Sequence, residues 1–316
     1  MKQKYFLFIS LIFFFFVACK SHDQHLEFKI KLSGNAVQND LSILKDRVYE
    51  LSGEQPEISE ISANEFHFKL RSFQDSAIIL QAIQAKGEFE ISESYDVREL
   101  YPILQQINAD LVNSKLVKQL LPKSNDEFVQ NNPLFSIFRP SSDAAGNIVY
   151  GATIGHLLLK DTAILNQMFM LPEAQSKLPL GIKFLYGKTI NNEISPLFAL
   201  KPNPNNDLSI HQKMFEDVRV KKSDQTGDDE ILIKLASSYQ NRFSELTEKN
   251  IQKALLICFD QEILSAPIVQ SKVSGGRFII SSNFSRSEAL CIATCMKLGA
   301  LSCKPIVKEF GFVKNN

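Results

Sequence analysis

The chain is poor in the residues that perform chemistry. It has 5 histidines in 316 residues. His156 and His211 have no partner three or four positions away with which to share a metal ion, and His67 alternates with Phe66 and Phe68 as an outward position on a strand would. No G-x-S-x-G is present. Ser265 stands in Ser-Ala-Pro with no histidine nearby in sequence, so a nucleophilic serine is not expected. Gly275-Gly276-Arg277 lacks the G-x-x-x-x-G-K spacing of a phosphate loop and reads as a tight turn between strands. Asp260 and Glu262 are close enough to be paired carboxylates, but a turn setting beside Gln261 reads as solvated acids. The expectation is no enzyme, no metal and no cofactor.

Charge of one sign is also missing. The chain carries 35 basic and 35 acidic residues, and no basic stripe exists to hold nucleic acid. Long apolar runs are absent with one exception, Tyr5 to Val17, preceded by Lys2 and Lys4 and followed by Ala18 and Cys19. Such a run rises only about 20 Å as a helix, short of a hydrocarbon core of about 30 Å. It reads as a bacterial lipoprotein signal with Cys19 as lipid acceptor, although Phe16 replaces the usual leucine. An uncleaved anchor or plain secretion are the alternatives. The expected location is the cell envelope, lipid-anchored on the periplasmic side of the inner or outer membrane, with every later residue on one side of it. Of the other cysteines, Cys291 and Cys295 are four apart on a predicted helix, but no CxxC motif or histidine cluster supports a metal site. Cys258, Cys291, Cys295 and Cys303 read as small apolar packing residues; a disulfide involving Cys258 or Cys303 stays open.

What is present is periodicity. Leu26 to Leu32 alternates apolar and charged residues, a half-buried strand. Val37, Leu41, Leu44, Val48 and Leu51 recur at helical spacing and stop at Gly53. Phe66, Phe68 and Leu70 alternate again, Ile78, Ile79, Ala82 and Ile83 give a helical face closed by Gly87, and Phe89 and Ile91 follow. With a short strand near Glu57 to Ile61, the order is β-α-β-α-β. Beyond Arg98 the texture changes: a helix on Leu100, Leu104, Ile107 and Leu111, then a loop-rich run with isolated Phe128, Phe135 and Phe138. Helical segments follow at Thr162 to Met170 and Pro172 to Leu178, with strands at Ile182 to Tyr186 and Leu197 to Leu200. Val218 to Lys222 and Glu230 to Leu235 flank a hairpin loop, and Phe243 and Leu246 start a helix. Ala254 to Phe259 is an apolar run of strand length, and Ile279 to Ser281 suits another strand. Ser285 and Glu288 make a capping box for a helix that Gly299 should end as a left-handed C′ residue.

The expected architecture is α+β: a ferredoxin-like, mixed or antiparallel sheet with helices on one face. This base is built from residues 20–97 and 216–313, after the signal at 1–19, with an inserted α+β head lobe at 98–215. The two distant segments should close into a single sheet.

A family resemblance rests on particular residues. Asp260, Ser265-Ala266-Pro267, Gly275-Gly276, Ile280, Asn283-Phe284, Glu288-Ala289 and Gly299-Ala300-Leu301 resemble, in order and approximate spacing, the C-terminal signature of the first periplasmic domain of SecD. Leu44-Lys45-Asp46-Arg47-Val48 with Gly53 and Pro56, and Gly87-Glu88-Phe89-Glu90-Ile91, resemble its N-terminal half. Glu99-Leu100-Tyr101-Pro102 and Leu178-Pro179 with Lys183-Phe184-Leu185 are similar to phrases in long-headed SecDF proteins of the Bacteroidetes group. Two positions depart: Gln261 stands where the family has the glycine of an Asp-Gly turn, and Ser302 replaces a proline. The resemblance implies contact with unfolded or exported polypeptide, with Sec translocon components, or with both, through exposed sheet edges or aromatic loops of the head. Without transmembrane helices bearing ionisable residues, proton-driven transport is not expected. The rival expectation is an envelope interaction scaffold that kept this fold without a translocation role.

Overall fold

The structure, a computed structural model, describes residues 24–33, 37–72, 75–121, 124–202 and 210–312. The signal segment and Cys19 lie outside the described residues. The first segment runs β1 (Gln24–Lys31), α1 (Val37–Ser52), β2 (Glu57–Ser62), β3 (Glu65–Ser72), α2 (Ser76–Gln84) and β4 (Phe89–Glu93). The middle carries α3 (Val97–Leu111), α4 (Lys115–Leu120), α5 (Glu127–Asn131), β5 (Phe138–Pro140), β6 (Thr153–Leu158), α6 (Thr162–Met170), α7 (Pro172–Gln175), β7 (Lys183–Gly187), β8 (Ile194–Leu200) and β9 (Ile210–His211). The last segment is β10 (Phe215–Lys222), β11 (Asp229–Leu235), α8 (Gln240–Lys249), β12 (Leu255–Phe259), β13 (Glu262–Ser265), β14 (Arg277–Phe284), α9 (Arg286–Leu298) and β15 (Ile306–Phe312).

The α+β class holds, and the two distant segments do meet: β1 pairs antiparallel with β15, and β4 pairs antiparallel with β12. The single sheet is corrected. The described strands form a four-stranded sheet β15-β1-β3-β2, a three-stranded sheet β10-β11-β14, and an eight-stranded sheet β5-β6-β8-β7-β13-β12-β4-β9. The reason lies in β12. Its sequence, LLICF, is apolar at every position and every residue is buried, so it needs packing on both faces, which the edge of a half-exposed sheet does not give. Leu255, Ile257 and Phe259 face the main core, while Leu256 and Cys258 join Phe198, Leu200 and Ile263 on the other side.

The main core is drawn from both ends of the chain. Leu26, Phe28 and Ile30 of β1 pack with Leu44 and Val48 of α1, Ile79 and Ile83 of α2, and Ala289, Ile292 and Met296 of α9. Phe28 stacks on Phe68 with centroids 4.7 Å apart and on Phe310 at 6.0 Å, which ties β3, β1 and β15 across one face. A second core belongs to the middle segment alone, with Leu100, Leu104, Ile107 and Leu111 of α3 against Ile154, Leu157, Leu165 and Met168. Asp96 caps α3 in a full capping box with Glu99. The middle segment is joined to the rest by sheet as well as by packing, because β7 pairs parallel with β13. Of the isolated phenylalanines, Phe138 is buried, Phe135 packs on Tyr101, and Phe128 is exposed.

Candidate functional site

The residues singled out in the sequence converge on a strip of four, Ala85 to Glu88, between α2 and β4. Arg47 sits on the same helical face as Leu44, Val48 and Leu51 and is 0% exposed. Its guanidinium donates to the carbonyls of Ala82 (3.1 Å), Ala85 (2.6 Å), Lys86 (2.9 Å) and Gly299 (2.6 Å). These carbonyls close the C-termini of α2 and α9, where unpaired C=O groups and the helix dipoles favour a cation. Asp260 meets the same strip from the other polarity: its Oδ1 accepts from the amides of Gly87 (2.7 Å) and Glu88 (2.8 Å), and its own amide donates to the Glu88 carbonyl (2.9 Å). The Leu301 amide adds a bond to the Lys86 carbonyl at 2.8 Å. A cation thus holds carbonyls of the strip and a carboxylate holds its amides, one from the first segment and one from the last.

Glycine is required here at two positions. Gly87 has φ +86°, and a Cβ there would fall on the Arg47 guanidinium and lie 3.2 Å from Cys295 Cβ. Gly299 ends α9 with φ +101° and ψ 167°, a region open essentially only to glycine but not the left-handed helical region expected. Asp260 is likewise corrected: it is half-buried and bonded to backbone amides rather than solvated.

The Asp-Gln turn keeps the geometry that its sequence disfavours. Phe259 pairs with Glu262, which leaves Asp260 and Gln261 as a two-residue hairpin loop, with φ +47° and +68°. Both positive values match a type I′ turn, for which the second residue should be glycine. We expect Gln261→Gly to stabilise the protein by about 0.5–1 kcal/mol in a urea titration, since it relieves a left-handed non-glycine residue; an unchanged or lower midpoint would contradict this reading. Ser302, the other departure, uses the amide that proline would lack: it donates to Asp40 Oδ1 at 2.9 Å, and its hydroxyl donates to Oδ2 at 2.5 Å. Asp40 is buried, so this pair is a further link between α1 and the chain's last turn.

The other signature residues lie elsewhere. Ser265, Ala266 and Pro267 run beside β12, with the Pro267 carbonyl accepting from Leu255. Gly275 and Gly276 form the turn into β14, and the Gly276 carbonyl accepts from Leu235 at 2.8 Å. Phe284 is buried in the main core, next to Asn283 with φ +44°. Ala289 is buried on α9, and Ala300 is half-buried. Ser285 accepts the Glu288 amide at 3.2 Å as an N-cap, but the reciprocal half of the expected capping box is not made. Glu288 instead pairs with Lys188 at 2.9 Å, a link from α9 to the middle segment that sequence spacing could not reveal.

Asp229 was not anticipated at all. Buried at the start of β11, it joins Lys222 of β10 (2.9 Å) to Arg286 of α9 (2.8 Å). The Lys222 hydrogen bond, helped by Arg286, holds its carboxyl below the ordinary value of 3.8. A depressed folded-state value means that this contribution to stability is present above the unfolded value and lost as pH falls through the folded one. Asp229→Asn should therefore flatten the part of the stability profile below about pH 4, read from urea midpoints; a wild-type acid slope retained in full would contradict it.

The described clefts bring no reactive set together. The cleft of about 470 Å³ where the middle segment meets the rest is lined by Ser94, Asp96, Glu99, Tyr150 and Lys201 among others. Each of these polar groups is already used. Ser94 donates to the Ala254 carbonyl, Asp96 accepts from Arg98 and Gly151, Glu99 pairs with Lys201, and the Tyr150 hydroxyl donates to the Gln252 carbonyl. His67 Nε2 lies 3.4 Å from Glu27, and burial lowers the His156 imidazole below its ordinary value. Cys258, Cys291, Cys295 and Cys303 are all free thiols, which closes the disulfide question for these four; burial pushes the Cys258 thiol up to about 12. Among the described residues no group of three or more His, Cys, Asp or Glu could hold a metal ion. No described helix is long and apolar enough to cross a membrane.

The class this defines is a mixed α+β domain whose first and last described segments are locked together on one short strip. Residues 202–303 match the family model described as SecDF, P1 head subdomain, a stretch that overlaps the proposed second half of the base. The protein translocase subunit SecD of Rhodothermus marinus is 24% identical over 286 residues, covering 84% of this chain and 44% of that protein. SecD of Leptotrichia buccalis is 40% identical over 78 residues, 25% of this chain and 19% of its own length. A crystal structure of SecDF in its super-membrane-facing form matches the fold with a TM-score of 0.50 at 16% identity, over 92% of this chain and 30% of that one. The likeness to the SecD/SecDF periplasmic domain therefore runs through most of the chain, which spans under half the length of the Rhodothermus marinus SecD.

Proposed function

We propose that this chain is a non-catalytic, lipid-anchored, SecD-like protein of the cell envelope that binds translocating or newly exported polypeptide, alone or docked to components of the Sec translocon. The observation that carries the reading is the extent of the SecD likeness, which covers 84% of this chain in the Rhodothermus marinus SecD and 92% in the SecDF structure. Division into a base (20–97 and 216–313) and an inserted lobe (98–215) is part of this reading, supported by a main core and a separate core within residues 97–199. A non-catalytic role is supported by polar side chains that are already committed to structural bonds at the interlobe cleft. Large apolar side chains stand free on the middle segment, with Phe128 55% and Met170 76% exposed, as suits transient contact with extended chains.

The test is photocrosslinking in growing cells from positions 128 and 170. Capture of envelope precursors or Sec components is expected, and capture of neither would overturn the export role. Lipidation is tested separately by radiolabelled palmitate: the label should vanish in Cys19→Ala, and undiminished label would remove the anchor from the proposal.

A further inference from the structure

Among the described strands, the three-stranded sheet ends in an open one, β14. β14 pairs only with β11 among the described strands, in the register Lys234 with Arg277, Ile233 with Phe278, Leu232 with Ile279 and Ile231 with Ile280. Leu235 donates to the Gly276 carbonyl, so the alternation of antiparallel pairing makes Phe278 and Ile280 the hydrogen-bonded partners of β11. The N–H and C=O groups of Arg277 and Ile279 then point to the opposite, unpaired edge. Side chains alternate as well: Ile280 is buried, and Ile279 is 48% exposed on the outer face beside Leu232. That face carries a shallow groove of about 470 Å³ whose lining includes Arg219, Leu232, Lys234, Arg277 and Ile279.

Charge decides what fits. Arg219 pairs with Asp217, and Lys234 with Glu216, whereas Arg277 has no acidic partner among the described residues. The other long edges differ. β10 is crowded with charge, as protected edges are, β2 presents Glu57 and Glu60, and on β15 Lys308 and Glu309 are both engaged, with Glu65 and Lys29.

We infer that the free edge of β14 takes up an extended polypeptide segment by strand addition, and that the segment carries an apolar residue opposite Ile279 and an acidic residue two positions away opposite Arg277. Backbone bonds to the edge supply the affinity, and the apolar and acidic side chains on one face supply the selectivity. This rests on the proposed polypeptide-binding function and adds to the exposed Phe128 and Met170 of the middle segment a second contact, on the last segment, with a sequence preference.

The test uses the mature lipidated chain in detergent and fluorescence anisotropy with short labelled peptides that alternate Val and Thr, one face carrying a Glu two residues from a Val, or a Lys in its place. The Glu peptide should bind the wild type roughly tenfold or more tightly than the Lys peptide, and Arg277→Glu should reverse that preference. Ile279→Pro, which gives up only an outward N–H, should weaken both peptides and also a reduced, unfolded exported polypeptide. Equal binding of both peptides by wild type and Arg277→Glu would overturn the site. Undiminished capture of the unfolded polypeptide by Ile279→Pro would also remove the site while leaving the polypeptide-binding role standing. No binding of any unfolded polypeptide by the wild type would overturn both.

Discussion

Arg47→Met is expected to destabilise the protein by roughly 3–5 kcal/mol, since it takes the charged donor away from four carbonyls at once, measured by urea denaturation followed by far-UV circular dichroism. The side chain is 0% exposed and its guanidinium holds four carbonyls belonging to α2, the strip and Gly299. Methionine fills a similar volume but leaves those acceptors without a donor in a place water does not reach. Arg47→Lys should recover only part of the loss. An ammonium on a flexible stem lacks the planar fork that serves carbonyls from two helix ends at once. A loss below about 1 kcal/mol for the methionine variant would put the arginine among ordinary surface pairs.

Gly87→Ala is expected to cost about 3 kcal/mol, from a strained positive φ together with overpacking against the guanidinium. The two sites should be strongly coupled. In the Arg47→Met background the clash with the guanidinium disappears, leaving the tight approach to Cys295 Cβ and the left-handed strain of about 1–2 kcal/mol. A double-mutant cycle reads this directly: coupling of more than about 1 kcal/mol is expected, and simple additivity would separate Gly87 from the arginine.

Much of the secondary structure was legible because each element keeps its own period. β1, β3 and α1 follow directly from alternation and from the i, i+3, i+4 spacing, and α6 has the bounds its pattern predicts. The division into three sheets was hidden because a continuous apolar run such as LLICF does not say which neighbours cover its two faces. Arg47 was legible in principle: it falls on the apolar stripe of α1 with Leu44, Val48 and Leu51, and a cation in that register has to be buried or to break the helix face. Asp40 lies four residues before Leu44 and gives the same kind of signal. The Arg286 to Asp229 pair and the Lys188 to Glu288 pair carry no such mark, since both join residues whose proximity depends on tertiary packing alone.

The most direct test of an architecture closed by its two chain ends is native-state hydrogen exchange with mass spectrometry, on the wild type and on Arg47→Met. Amides in β1, α2, β12 and α9 should exchange through one common opening with the same free energy, and should lose protection together in the variant. If the amides of β1 and α2 opened independently of those in β12 and α9, the two segments would be separate units, and closure of the fold by its chain ends would be contradicted.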